Sequence, residues 1–504
     1  MRKQISRVAS WTMLSRIAGF VRDIIMAAVL GAGPIADAFL VAFRLPNHFR
    51  AIFAEGAVST AYVPAYTRVR TQGGPEAARR FADSVFGWQL IVQVVFLGAA
   101  LVATPWLITL LAPGFTDDPA KFQLAEELTR ITFPSLLLIS CMTLLAGNLN
   151  AVERFSAAAA APVLMNLCMI AGLVSWQWFP TVGHAAAWGV LASGLAQFLL
   201  VWWAANRAGV GPGLARPQLD EDTRKFFRAL GPAVIGSMGV QVAMFADTII
   251  ASFLSDGALS ALYYADRINQ LPIGVIGIAA GTVVLPQMAK KLAAGDEDGA
   301  RAAQNRAMEF TLLLAAPCVV AFLLIPDLIM TALFQRGKFD AAAAQAAGAT
   351  LAAYAVGLVA FVLIRSAVAS FYARGDTKTP LYASLTGIAA NVALKVALMG
   401  SFAQVGLALA TSVGAWINVG LVIFLARKRG FFAIDSRFRR SAIVIALASL
   451  SLAVVLWAGR EWFPELTRNL SVLRAEMTLA LLGLVGGLTY AGFVWKGLYS
   501  RRKM

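Results

Sequence analysis

The sequence predicts an all-α polytopic membrane protein of about fourteen transmembrane helices, built as two six-helix lobes in a parallel repeat plus two C-terminal helices. Three observations predict it. Hydrophobic residues make up 59% of the 504 and charged residues 14%, with a mean hydropathy of +0.71; soluble domains hold about 45–50% and 25%. Apolar runs of about 20 residues recur along the chain, each long enough to cross a hydrocarbon core of about 30 Å as a helix. The basic residues, finally, collect on alternate connections between those runs.

The first two spans, near 7–30 and 35–54, are joined by the tight GAGP turn at Gly31 to Pro34. The opening segment MRKQISRVASWTML has the charge of a signal peptide, but no small-residue cleavage site ends its apolar run, so it reads as an uncleaved first span. These two spans carry Arg16, Arg22, Asp23, Asp37, Arg44 and Arg50 among apolar residues. An ionisable side chain at the bilayer centre costs roughly 2.5–3.5 kcal/mol, so such residues face a bundle interior or a wet cavity and mark a substrate or ion path. Arg16 and Asp23 are seven residues apart, as are Asp37 and Arg44, and each pair can share a helix face. Arg22 and Arg50 have no acid at that spacing. The surplus is positive and calls for a ligand that carries phosphate or carboxylate.

Spans near 83–112, 124–149, 157–178 and 184–205 complete a first lobe, 1–222. Those near 227–255, 258–288, 305–333, 342–371, 379–400 and 403–426 form a second, 223–430. An offset of 222 or 223 residues places Arg44 on Arg267, Thr60 on Thr282, Pro64 on Pro286 and Ala151 on Ala373, which is the sign of an internal repeat. Six spans per unit leave both copies in the same orientation, and substrate sites in such transporters lie at the repeat interface. Spans near 440–458 and 475–495, in the segment 431–504, stand outside the repeat and are purely apolar, as a lipid-facing surface would be. With the N-terminus inside, 29 of the 43 Lys and Arg residues fall on inner segments and 6 on outer ones, which puts both termini in the cytoplasm.

Other chemistries lack material. Cys141, Cys168 and Cys318 sit singly in spans, without zinc-ligand spacing, and His48 and His184 are the only histidines. No GxxxxGK[ST] phosphate loop is present. The reading is therefore a transporter and not an enzyme, with no cofactor and no metal. The net charge of +16 is the topology signal of a membrane protein and not a nucleic-acid footprint.

The order SRIAGFVRD, GAGPIADAFLVAFRLPNHFRAIFAEGAVSTAYVP, ASFLSDGALSALYYADRINQLPIGVIG, FQRGKFD and FYARGDTKTP resembles the lipid II flippases of the MurJ or MviN family. That family belongs to the multidrug/oligosaccharidyl-lipid/polysaccharide exporter superfamily. The resemblance implies a bacterial inner-membrane protein with two lobes around a central cavity. It would move the undecaprenyl-pyrophosphate-linked disaccharide-pentapeptide to the outer leaflet for peptidoglycan synthesis, its lipid tail lying in a groove along the last two helices. The residues matching the family's pyrophosphate-binding arginines are Arg22, Arg50 and Arg267. Arg16, Asp23 and Asp37 match further charged positions that the family needs, and Arg44, Glu55 and Arg365 match charged cavity positions. Some members hold sodium in the second lobe; Asp247, Asn391 and Thr411 match that set, but Lys395 stands where the second acid would be. An ammonium cannot ligate a cation, so the resemblance implies an internal Asp247–Lys395 pair in place of the ion. Expected partners are lipid II, membrane lipids and other cell-wall synthesis proteins, with the chain acting as a monomer. The alternatives are an exporter of another lipid-linked oligosaccharide or of drugs, whose cavity in the drug case should be acidic or apolar, and a polytopic glycosyltransferase, which would need catalytic acids on a sizeable outer loop.

Overall fold

The computed structural model describes residues 2–50, 57–466 and 473–499, and within them the chain is a succession of helices with no strand. In order these are α1 (Arg2–Leu30), α2 (Pro34–Arg50), α3 (Ala57–Val102), α4 (Thr104–Leu111), α5 (Pro119–Thr132), α6 (Pro134–Ala151), α7 (Ser156–Val174), α8 (Val182–Arg207) and α9 (Glu221–Ser252). There follow α10 (Ala258–Pro272), α11 (Ile278–Ala293), α12 (Glu297–Leu324), α13 (Pro326–Phe334), α14 (Ala341–Tyr372), α15 (Lys378–Lys428), α16 (Ser436–Leu466) and α17 (Arg474–Val494). Nine stretches among the described residues are long and apolar enough to cross a membrane. Two of these contain a break. In α3 it is Gly74 at φ 80°, a value glycine adopts without steric cost, followed at once by Pro75. In α15 it is Ala403 at φ 45° and ψ −130°. Several prolines open helices: Pro119, between two apolar runs, and Pro134 and Pro326, within them, each occupy a first helical position, where the missing N–H would have had no partner anyway.

The offset seen in the sequence recurs in helix boundaries. Pro119 opens α5 and Ala341 opens α14, 222 residues later; Thr104 and Pro326, and Ser156 and Lys378, open helices at the same separation. Contacts divide the chain into two compact units: residues 1–257 with Arg336–Phe339, and residues 258–335 with 340–504. The short return is held inside the first unit by the Lys338 N–H, which donates to the Ala28 carbonyl at 2.8 Å, and by the Lys338 ammonium 5.3 Å from the Trp176 ring centre.

In the first unit α7 packs against α8 and α1, α6 against α8 and α3, α2 against α5, and α9 against α3. Its aromatic core joins Tyr62, stacked on Phe81 at 5.8 Å, to Phe226 on α9. The Tyr62 hydroxyl donates to Asn148 at 2.6 Å, and the Asn148 amide donates to the Val210 carbonyl at 2.9 Å, which fastens the segment before α9 to the bundle. The α7–α8 contact depends on small residues, which let membrane helices approach backbone to backbone. A Cβ at Gly172 would lie 2.6 Å from the Ala185 carbonyl oxygen. Gly172→Val is therefore expected to cost about 1–3 kcal/mol through overpacking, read as a lowered thermal unfolding midpoint of detergent-solubilised protein; an unchanged midpoint would refute this packing.

In the second unit α14 is surrounded by α15, α12, α10, α13 and α11, and α16 lies against α12 and α17. The last two helices are anchored by polar ties. Arg306 on α12 pairs with Glu309 and with Asp435 just before α16, the Ser441 hydroxyl donates to Glu309 at 2.6 Å, and the Tyr490 hydroxyl of α17 donates to the Leu313 carbonyl at 2.8 Å. Their outer faces expose Leu450, Trp457, Leu484 and Leu488. Before α15, Asp376 accepts from the Thr379 N–H at 3.0 Å, which holds its carboxyl down at about 2, and Arg429 adds an ion pair at 2.5 Å.

Candidate functional site

The charged residues of α1 and α2 fall into two buried assemblies and one more open group. Arg22 is 3% exposed and Asp23 5%. The Arg22 guanidinium donates to Asp23 Oδ1 through Nη2 at 2.7 Å and Nε at 3.1 Å, and through Nη1 to Asn166 Oδ1 at 3.0 Å. Asn166, on α7, is oriented in turn by its amide, which donates to the Ser15 and Pro162 carbonyls at 3.0 Å each. Gly19 lies beside it, and a Cβ there would meet the Asn166 amide at 3.5 Å, an ordinary contact. Arg22 is thus held in a fixed pose by neighbours on two helices. Asn166 is not among the residues singled out from the sequence, although an amide alone in the apolar run AAAAAPVLMNLCMIAGLV is the signal that could have found it.

Asp37 is the centre of the second assembly. It is 1% exposed, accepts from the Gly257 N–H at 2.8 Å and pairs with the Lys121 ammonium at 3.4 Å. Lys121 also reaches Asp256 at 2.7 Å and lies 4.2 Å from the Phe115 ring centre. One cation thus links a buried carboxylate, Asp37, to a half-exposed one, Asp256, with an aromatic face beside the ammonium. Lys121 reads as an outer-loop residue in the sequence, and only the fold brings it to Asp37.

The remaining first-unit positions are more open. Arg16 is exposed, and Arg44 and Arg50 are partly buried. Arg50 lines a narrow cleft with Asn47, Ser135 and Ser193. Glu55 lies outside the described residues.

In the second unit, Arg267 donates to the Tyr263 hydroxyl at 3.1 Å and lies 4.9 Å from that ring centre. Arg365 is exposed and lines a cavity of about 420 Å³ with Tyr372, Ser384 and Asn418. Its stem runs past Gly277 and Gly281, at and after the π-helical turn Ile273–Gly277, where a Cβ would meet it in ordinary contact at 3.7 and 3.6 Å. Thr411 donates to Asn391 at 3.4 Å, and Lys395 is 3% exposed. Asp247 belongs to the first unit, and Lys395, Asn391 and Thr411 to the second. Among the described residues no cluster of His, Cys, Asp and Glu could hold a metal. The chemistry on offer is therefore ionic: guanidinium groups, always charged and geometrically matched to phosphate oxygens, set among apolar helices.

The family model for the lipid II flippase MurJ matches residues 26–474. A relative from Rhizobium meliloti, described as a probable lipid II flippase MurJ, is 39% identical over 489 residues, covering 96% of this chain and 91% of the relative. The chain belongs to the MurJ family of lipid II flippases. The Burkholderia cenocepacia member, described as lipid II flippase MurJ, is 32% identical over 98% of both chains. The fold agrees: a solved MurJ in an inward closed conformation superposes with a TM-score of 0.79 at 23% identity, covering 97% of this chain and 98% of that one. An inward-facing multidrug transporter of the same exporter superfamily superposes at 0.68 and 16% identity, over 84% of this chain and 97% of that one. MurJ proteins are transporters, so no catalytic residue is to be sought among these charges.

Proposed function

We propose that this chain carries lipid II from the inner to the outer leaflet of the bacterial inner membrane by alternating access. The observation that carries the reading is family membership across almost the whole chain, joined to a surplus of guanidinium groups inside apolar helices. Arg22, Arg50 and Arg267 take the pyrophosphate, with Arg16, Arg44 and Arg365 as further cationic positions and Asp23, Asp37 and Glu55 as their acidic counterparts. The lobes are 1–222 and 223–430, and the helices of 431–504 flank the lipid tail. The chain crosses the bilayer fourteen times with both termini in the cytoplasm, a reading that the alternating distribution of basic residues in the sequence supports. Lys395 takes the place of a bound cation by pairing with Asp247, near Asn391 and Thr411. The chain works as a monomer.

The membrane potential supplies the drive. It is worth about 2.3 kcal/mol per elementary charge per 100 mV, and with the inside negative it favours outward movement of an anionic headgroup and inward return of an emptied cationic cavity. In sealed vesicles loaded with fluorescent lipid II, purified protein should translocate the headgroup faster when an inside-negative potential is imposed. Translocation that is absent with folded, membrane-inserted protein would overturn the function; translocation indifferent to the potential would overturn only the drive.

A further inference from the structure

We propose that the first unit carries a binding groove for one anionic phospholipid of the inner leaflet, separate from the charged residues assigned to lipid II. The groove is a cavity of about 910 Å³ between α1, the α6–α7 turn, α7 and α8. Such a volume is at the upper end of ligand clefts, which run about 300–1,000 Å³. Each helix contributes one face at helical spacing. From α1 come Arg7, Trp11 and Leu14; from α7, Ala157, Ala160, Leu164 and Leu167; from α8, Leu200, Trp203 and Arg207. Ala157 and Ala160 are small, and they are what opens the notch between the larger neighbours.

The charges lie at one end only. Arg7 near the start of α1, Arg154 in the α6–α7 turn and Arg207 at the end of α8 are all exposed, and none of the three has an ion pair among the described residues. Glu153 is the single acid in the lining, so the rim keeps a positive surplus. Arg207 lies 5.3 Å from the Trp203 ring centre, and the Trp11 indole N–H donates to the Ser156 hydroxyl at 3.2 Å, so both tryptophans sit at the polar end. Beyond them the lining is aliphatic, with Leu14 45% and Leu167 50% exposed. At 1.5 Å rise per residue, the run from Ser156 to Leu167 is about 16 Å long, close to one leaflet of a core about 30 Å thick.

Those features fix the occupant. A soluble anion would use the rim and leave the apolar floor idle; a zwitterionic lipid would use the floor and leave three cations without a counter-charge. An anionic phospholipid satisfies both, with phosphate oxygens on the guanidinium groups and acyl chains on the leucines. Basic pockets between helices on the cytoplasmic side recognise such headgroups, and this rim is on the side where the basic residues collect.

The test is native mass spectrometry of the full chain titrated with dioleoyl phosphatidylglycerol, dioleoyl phosphatidylcholine or inorganic phosphate. The wild type should retain one phosphatidylglycerol that phosphatidylcholine does not replace and inorganic phosphate does not displace. In the triple variant Arg7→Gln, Arg154→Gln, Arg207→Gln, its affinity should fall about 100-fold, at about a factor of five per arginine. Ala160→Phe keeps every charge but fills the notch, and it too should lose the bound lipid. Thermal midpoints close to wild type show that both variants are folded. Equal retention in the folded triple variant, displacement by inorganic phosphate, or equal retention of phosphatidylcholine would each overturn the proposal.

Discussion

Replacing Arg50 or Arg267 by Ala in cells depleted of their own flippase is expected to abolish growth and to leave lipid II on the inner leaflet, with protein level unchanged. A hydrogen bond to a charged group is worth about 1.5–3 kcal/mol, so each lost guanidinium should weaken capture of the pyrophosphate about 10- to 100-fold. Lysine keeps the charge but loses the planar fork, and these Lys variants should fall between wild type and Ala. Arg22 requires separate treatment, because it is buried and bonded to Asp23 and Asn166. Arg22→Ala removes the partner of a carboxylate that is 5% exposed, and breaking a buried pair costs about 3–5 kcal/mol; its loss of function should come with a lowered thermal midpoint. Arg22→Lys separates the effects, since it keeps a cation for Asp23. If Arg50→Ala and Arg267→Ala both support growth at normal protein level, the arginines do not bind substrate and the site assignment fails.

The second large effect is expected at Lys121. Lys121→Met takes the cation from between Asp37, which is 1% exposed, and Asp256. The buried Asp37 carboxylate then loses that ammonium and keeps the like charge of the half-exposed Asp256 nearby, again at about 3–5 kcal/mol. For a unit of this size, about 2–4 °C per kcal/mol gives a midpoint lower by roughly 6–20 °C, measurable by thermal unfolding in detergent. Adding Asp37→Asn to Lys121→Met removes the repelling charge and should recover most of the loss, the signature of coupled residues. A Lys121→Met midpoint equal to wild type would mean that the cluster contributes nothing to stability.

Helix existence was legible from the sequence because apolar runs of membrane length admit few alternatives. The repeat was also legible, since Arg44 and Arg267 or Pro64 and Pro286 keep their spacing, and helix starts such as Pro119 and Ala341 follow the same offset. The breaks were legible as well: Gly74 lies in the Gly-Gly-Pro stretch between the second and third spans, and Ala403 lies where the spans near 379–400 and 403–426 part, just after Gly400 and Ser401. The φ of 45° at an alanine is the part that no residue type announces. At the charged positions the sequence spoke clearly about which residues are costly and poorly about what they touch. Arg16 and Asp23 are well spaced to share a helix face, yet Arg22 is the residue bonded to Asp23. Asp37 could as well have capped a solvated helix end; its partners, the Lys121 ammonium and the Gly257 N–H, stand 84 and 220 residues away. Such pairings follow from tertiary packing, which periodicity does not encode.

The four residues Arg336–Phe339 have a consequence for how the gene can be cut. Since they belong with 1–257, the first unit is not one uninterrupted stretch of chain, and the backbone passes between the units three times, after 257, 335 and 339. A fragment ending at Gly257 would leave the Ala28 carbonyl without the amide it accepts from and Trp176 without its cation. A cut at Gly257 therefore yields two pieces neither of which matches a unit: the first lacks Arg336–Phe339, and the second carries those four residues away from the partners they touch.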